Sequence, residues 1–451
     1  FDTLRVSRDL RFAVNNSNSH YYYENNTNLS DITAVFDTQI NIRIGRSDLR
    51  HDFSKVDAHA RATPKSECSS VEQLSNHLTS CWDDHLDKLR AIYVWVTEHI
   101  EFDTDPGDLK NCGADETLKT RKGGFAELFN ELACKAGVKT WKIKGKTRGD
   151  PDDKIDCKET DHTWNGTIYK GEYLLIDCAW GAGRLNEKSK LEKHFEPFYF
   201  LTPPTYFIYS HFPNDPKEQY LKPQITKEEF LSLIHVKPPF FAAGLDIREI
   251  TGNVITTHDD LICFEILRSQ PDEGKPLYAV LNWDDKKEHE VLIQRKVGYD
   301  AASGKSFKLQ TSCPGCGEGK LEIYVLLEGN KGPLASSFKV VNKGDGKNHC
   351  QFVKTYKVPY EFTIQPTHKN LKCDKDYKFE FTVFDLKEEE HPEFSLLSPE
   401  KKLKKLNKGS RCEDGSVTYD LETKLEQKGE WKLGCLKDKT HFDLIAQYNV
   451  E

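Results

Sequence analysis

An α+β domain followed by two all-β modules is the fold class this sequence predicts, and three observations carry the prediction. Residues 70–136 repeat apolar side chains at helical spacing, and 140–177 then carry three short β segments. From about residue 244 onward, short apolar runs alternate with Gly, Pro, Asn and Asp punctuation. At 451 residues the chain is too long for one core, so two to four domains are expected.

The elements follow in chain order. Residues 1–60 are polar and Asn-rich, with a short run at Ile40–Ile44, and are expected to form an N-terminal arm. Thr63–Pro64 is a break. Ser70–Leu78 and Asp83–Ile100 follow as helices; in the second, Leu86, Leu89, Ile92, Tyr93, Val96 and Ile100 share one face. Asp103–Lys119 is expected as a loop. A helix from Gly124 to Ala136 buries Phe125, Leu128, Phe129 and Leu132, with Gly137 as its stop.

Thr140–Lys146, Thr163–Tyr169 and Tyr173–Asp177 are expected strands, the last two joined by a tight Lys170–Gly171 turn. Residues 191–243, rich in Pro and aromatics, are expected to wrap the core, giving a domain over 61–243. Leu261–Leu267, Leu277–Leu281, Val291–Gln294, Phe307–Leu309 and Leu321–Leu327 suggest a sandwich over 244–345. Tyr360–Ile364, Tyr377–Phe384, Ser416–Asp420, Trp431–Leu433 and Phe442–Tyr448 suggest a second over 346–451, with Lys343–Asn348 as the linker.

Composition narrows the function. A net charge of −8 argues against a nucleic-acid binder. No apolar run is long enough for a membrane span. The chain opens at Phe1 without a signal-like segment, so a processed form or a fragment is expected. Thirteen cysteines leave at least one thiol unpaired. Sequons at Asn15, Asn26, Asn28 and Asn165 do not settle the compartment, because the first three lie in an Asn-rich run and Asn165 lies in an expected strand. A cytoplasmic or cytoskeletal location is expected, with secretion left open.

Cys313-Pro-Gly-Cys316 has metal-ligand spacing but no second pair nearby, so it reads as a turn, and neither a metal nor another cofactor is expected. Cys350, Cys373, Cys412 and Cys435 could pair only in an oxidising compartment. Lys401–Arg411 reads as a basic, solvated loop.

Chemistry concentrates around one hairpin. A turn at Lys170–Gly171 sets His162 opposite Ala179, with Asp177 two positions along the same face. A carboxylate holding one imidazole nitrogen fixes the tautomer and leaves the other nitrogen to activate a nucleophile. Trp164 and Trp180 flank the pair and either wall a substrate cleft or pack the core.

The runs VDAHARATP (56–64), DKLRAIYVWVTEHIEFDTD (87–105), TLKTRKG with GFAELFNELACKAGV (117–138), DHTWNGTIYKGEYLLIDCAWGAG (161–183) and SHFPNDPKEQYLKP (210–223) resemble the transglutaminase-like superfamily, most closely its kyphoscoliosis peptidase/hillarin branch. The resemblance implies an α+β papain/transglutaminase-like core followed by all-β sandwich domains. It also implies a Cys-His-Asp triad for cysteine-protease hydrolysis or protein-glutamine acyl transfer. His162 would be the base, Asp177 the orienting acid, and a protein or peptide the substrate.

The nucleophile departs from that pattern. The family reads approximately Arg-Lys-Gly-Val-Cys-x-Gly-Tyr-Ala before the helix, whereas Arg121–Ala126 reads RKGGFA and is shorter by about three residues. The thiol belongs at the helix N-terminus, where the dipole and the histidine lower its pKa. Cys112 lies in the preceding loop, Cys134 near the wrong end of the helix and expected in the core, and Cys178 beside the acid, facing away from His162. Two readings stay open. Either the nucleophile belongs between Lys122 and Phe125 but is missing from the sequence as written, which the total lack of methionine makes reasonable, or the protein is a pseudoenzyme that binds structural or cytoskeletal proteins.

Overall fold

The computed structural model describes residues 51–451 apart from 103–112, 150–161, 186–190, 251, 270–275, 285, 297–303, 327–331, 387–389, 391, 413 and 437–441. It has a mixed α+β region followed by β sandwiches, as the sequence predicts. Among the described residues, one compact unit ends at Leu231 and a second runs over Ser232–Glu451. The N-terminal arm falls mostly outside the described residues, as do Asn15, Asn26, Asn28 and Cys112.

In the first unit, helices α1 (Ser54–Arg61), α2 (Val71–Thr79), α3 (His85–His99), α4 (Ala114–Thr120) and α5 (Phe125–Lys135) precede the sheet. α1 begins inside the segment expected to be an arm, and its Val56 and Ala60 belong to the core. α4 replaces the second half of the expected loop; Gly113 is its N-cap, and its first turn carries Asp115 and Glu116, which suit the helix dipole. Ser70 Oγ caps α2 by accepting from Gln73 N at 3.1 Å, and Asp84 caps α3 through Leu86 N at 2.8 Å. α3 is buried nearly all round, and its Leu89, Ile92, Tyr93, Trp95 and Val96 are closed to solvent. Each such aliphatic side chain stabilises the fold by roughly 1.5–3 kcal/mol. α5 ends where Gly137, at φ 76°, lets Val138 N reach back to Ala133 O.

Strands β1 (Thr140–Thr147), β2 (His162–Tyr169) and β3 (Glu172–Ile176) form an antiparallel sheet in the order β3-β2-β1-β6, where β6 is His211–Pro213. The Pro/aromatic segment is therefore more than a wrapping connection, because it supplies the fourth strand. A small ladder, β4 (Gly183–Leu185) with β5 (Leu191–Lys193), lies between them in sequence.

The second unit starts at Ser232, earlier than the predicted boundary at 244, because β7 (His235–Val236) pairs with the strand Leu334–Asn342. The first sandwich packs Phe264 edge-on against Phe338, with centroids 6.0 Å apart, and Leu281, Leu309 and Leu321 are fully buried. The strand Leu334–Asn342 lies outside the sequence expectations; only Phe338–Asn342 alternates in burial, and the small residues Ala335–Ser337 hide the period. The second sandwich packs Phe379, Phe381 and Tyr419 of one sheet with Trp431, Leu433 and Tyr448 of the other. Lys401–Arg411 is no loop: Leu403–Lys405 and Asn407–Arg411 are strands at sheet edges, where lysines discourage edge pairing.

Cys313–Cys316 connects Lys305–Ser312 to Gly317–Val325. Among the described residues, Cys350, Cys373 and Cys412 are free thiols. No described helix is long and apolar enough to cross a membrane.

Candidate functional site

The site is built outward from the β2–β3 turn. Lys170 and Gly171 both take positive φ, 51° and 88°, the pattern of a two-residue hairpin turn that matches strand twist. That turn sets the register from Tyr169↔Glu172 to Asn165↔Ile176. Pairing stops there, and the expected partnership of His162 with Ala179 does not form. The chain instead enters a short helix, α6 (Cys178–Gly181), with Asp177 as its N-cap. Asp177 Oδ1 accepts from Ala179 N at 2.8 Å and Trp180 N at 3.0 Å. Two satisfied backbone donors outweigh continued strand pairing.

The cap leaves Oδ2 facing β2. His162 Nε2 lies 2.6 Å from it. On the far side of β1, the pairing Thr147↔His211 brings in a second imidazole, and His211 Nε2 lies 2.9 Å from the same oxygen. Ser210 Oγ sits 2.8 Å from His211 Nδ1. Gly145 occupies the strand position between them, opposite both His162 and Pro213. A Cβ there would come within 2.3 Å of Phe212 O and 2.5 Å of the Trp164 ring, so only glycine lets β2 and β6 approach this closely.

Aromatic rings enclose the cluster. Phe207 stacks on His211 at 3.9 Å, and Trp180 lies 4.6 Å from it. Trp164 is 1% exposed and packs with Ile143, Leu175, Tyr199 and Phe207, so it is core. Trp180 is half-buried and tilts toward His162 at 6.2 Å. Asp177 is closed to solvent, while the His162 side chain keeps 15% of its exposure.

The electrostatics follow from this enclosure. Burial opposes ionisation of Asp177, but His162 and His211 outweigh it and hold the carboxyl well below the usual range. Burial lowers His211 to about 4, against the hydrogen bond and charge of Asp177, so it is neutral at pH 7. Burial, reinforced by Asp177, pushes the Cys178 thiol well above its ordinary value, which disqualifies it as a thiolate. Cys134, expected in the core, is exposed on the second half of α5.

The nucleophile position is a tight connection. Arg121 ends α4 at φ 61°, and Gly123 and Gly124, at φ 61° and 56°, lead directly into α5. A parallel bridge fixes it: Glu101 N donates to Arg121 O, and Gly123 N to Glu101 O. A Cβ on Gly124 would lie 2.0 Å from Thr117 Oγ1. α5 packs against β2 and α6, and Asn165 Nδ2 donates to Ala126 O at 3.0 Å, which ties its first turn to the histidine strand. The group of metal- or proton-handling side chains gathered here among the described residues is His162, Asp177 and His211, with no cysteine.

Sequence reasoning missed His211. Its signal was a lone histidine in an aromatic run, on a strand of only three residues that shows no period.

Comparison with known proteins gives the site its context. Residues 227–354 match the family described as KY-like, immunoglobulin-like domain. The chain is 30% identical over 282 residues to kyphoscoliosis peptidase of Mus musculus, covering 60% of this chain and 40% of the relative. It is 24% identical over 282 residues to Hillarin of Drosophila melanogaster, covering 58% and 34%. It is 19% identical over 429 residues to cytokinesis protein 3 of Schizosaccharomyces pombe, covering 89% and 48%. The chain is related to the transglutaminase-like superfamily. It spans about two fifths of the length of the first of these relatives.

Proposed function

We propose that this chain is a protein-binding scaffold of the kyphoscoliosis peptidase/hillarin branch, built on a transglutaminase-like core that has lost its thiol. The observation that carries the reading is the α4–α5 connection. Four residues, Arg121–Gly124, span it without a cysteine, and Gly124 has no room for a side chain. The core that ends at Leu231 and the two sandwiches that follow within Ser232–Glu451 then serve as binding modules for structural or cytoskeletal proteins in the cytoplasm. The resemblance to a relative named for cytokinesis supports that class of partner.

The test is an amine-incorporation and peptide-hydrolysis assay at neutral pH on the chain and on His162→Ala. The scaffold reading expects no turnover that depends on His162. Turnover lost in His162→Ala would defeat it.

One observation favours a second reading, a thiol peptidase or acyltransferase. His162 and Asp177 keep the base–acid geometry at 2.6 Å, with Trp164 and Trp180 beside them. On this reading His162 is the general base, Asp177 orients it, and the cysteine lies between Lys122 and Phe125. Mass mapping of the tryptic peptide that follows Lys122 decides between the two. A mass equal to GGFAELFNELACK sinks the enzyme, and a mass larger by a cysteine-containing insert sinks the scaffold.

A further inference from the structure

The convergence on Asp177 is more than a histidine–acid pair. Two imidazole nitrogens and one carboxylate oxygen, from β2, β6 and the start of α6, lie within 4.8 Å of one another. The remaining polar atoms of two of these groups are already engaged. Oδ1 holds two backbone N–H groups, and His211 Nδ1 meets Ser210 Oγ. Outer hydrogen bonds of this kind orient metal ligands, and because the Ser210 hydroxyl can either donate to or accept from Nδ1, the His211 proton can move to Nδ1 and leave Nε2 to coordinate. Phe207 and Trp180 clamp the His211 ring, and the partly exposed His162 gives an entry path.

The donor set selects among ions. Calcium and magnesium require six or more oxygens, and only one carboxylate oxygen converges here. Two imidazoles with one carboxylate suit a four-coordinate ion whose last position is water. A six-coordinate iron site would need three further open positions, where aromatic rings crowd His211.

We propose that His162 Nε2, His211 Nε2 and Asp177 Oδ2 bind one zinc-class divalent cation, with water entering from the His162 side as the fourth ligand. Tetrahedral zinc–ligand bonds of about 2.0–2.1 Å place ligand atoms about 3.3 Å apart. To reach that spacing the contacts of 2.6 and 2.9 Å open by about 0.7 and about 0.4 Å, and the two imidazole nitrogens, which lie within 4.8 Å of one another, settle at the same separation through side-chain rotation. The site does not depend on whether a thiol is present, so it stands or falls separately from the proposed function.

The test uses the full chain stripped with a chelator and titrated with cobalt(II), then zinc. The expected result is one cobalt per chain with the d–d bands of a tetrahedral site. The near-ultraviolet charge-transfer band that the cysteines would produce should be absent, and one equivalent of zinc should bleach the spectrum. His162→Gln and His211→Gln should each weaken cobalt binding at least tenfold. Absent d–d bands, a thiolate charge-transfer band, or unchanged affinity in both variants would overturn the proposal. Near-ultraviolet circular dichroism reports whether buried His211→Gln folds; if it does not, His162→Gln at the partly exposed position decides alone.

Discussion

Asp177 and Glu361 are both almost completely buried carboxylates with several partners, but the partners differ in kind. Glu361 meets Arg268 Nη1 at 2.6 Å through one oxygen, and Arg295 Nη1 at 3.0 Å and Lys305 Nζ at 3.3 Å through the other. Those partners are two guanidinium groups and one amine, and they lie at the ends of first-sandwich strands while Glu361 leads into Phe362–Gln365 of the second. Asp177 meets two imidazoles, side chains that can carry a proton or bind a metal, and one of them, His162, keeps 15% of its side-chain exposure while His211 is closed to solvent. The first cluster is built to hold two sandwiches in register. The second gathers side chains that are able to pass a proton or hold an ion.

The largest effect expected from this contrast is at Glu361. Glu361→Ala takes the Glu361 carboxylate away from the buried Arg268 guanidinium, at a cost of about 3–5 kcal/mol. Urea unfolding should show it as a lowered midpoint in the transition that hydrogen exchange assigns to residues 232–451. Arg268→Met combined with Glu361→Leu should recover most of the loss, because an apolar pair of similar volume needs no charge compensation. A double variant as weak as the single one would mean that the network does more than neutralise itself.

Asp177→Ala comes next, at ~2–4 kcal/mol, from a lost helix cap and two imidazoles left without their acceptor. Asp177→Asn keeps the Oδ1 cap and should cost about half as much. Equal losses from the two variants, measured by the same unfolding experiment on residues 51–231, would make the imidazoles rather than the cap the dominant partners.

The contrast also explains what was legible in the sequence. The β2–β3 hairpin could be read because Lys170–Gly171 and the alternating flanks specify its register locally. That register by itself brings His162 near Asp177. The same extrapolation failed two residues later, where the Asp177 side chain captured the backbone and started a helix instead of continuing the strand. His211 was invisible because its strand gains its identity from pairing with β1, a tertiary contact. Glu361 was missed for a related reason: Arg268, Arg295 and Lys305 converge on it from three strands, and nothing in their spacing announces it. Helices α2, α3 and α5 were clear because caps and apolar stripes are local, whereas α4 was lost in a polar stretch whose cap is a glycine.

A smaller effect is expected at the α4–α5 connection. Gly124→Ala adds a Cβ at positive φ and 2.0 Å from Thr117 Oγ1, for a loss of ~2–3 kcal/mol. Adding Thr117→Ala removes the collision and leaves about 1 kcal/mol of backbone cost. Thermal unfolding of both variants checks the order. No recovery in the double variant would place the strain in the backbone of the connection alone.

The smallest effect is a pH dependence at the edge of the Glu361 cluster. Burial opposes ionisation of Asp385, but Lys305 and Arg295, at 2.7 and 2.6 Å, outweigh it and hold the carboxyl below its ordinary value of 3.8. A folded-state value below the unfolded one means that the unfolded chain binds the proton more tightly. The contribution of Asp385 is therefore complete above the ordinary carboxylate range and disappears as pH falls through the lowered folded value. Because this side chain is 42% exposed, solvent screens the interaction and the effect is modest. Asp385→Asn should lower stability slightly at pH 7 and leave it unchanged in acid, so the two curves of unfolding midpoint against pH converge as the pH drops. Curves that stay parallel into acid would mean that Asp385 contributes through packing against Arg295 and Lys305 rather than through charge. In that case the basic side chains around Glu361 would need no second carboxylate to balance them.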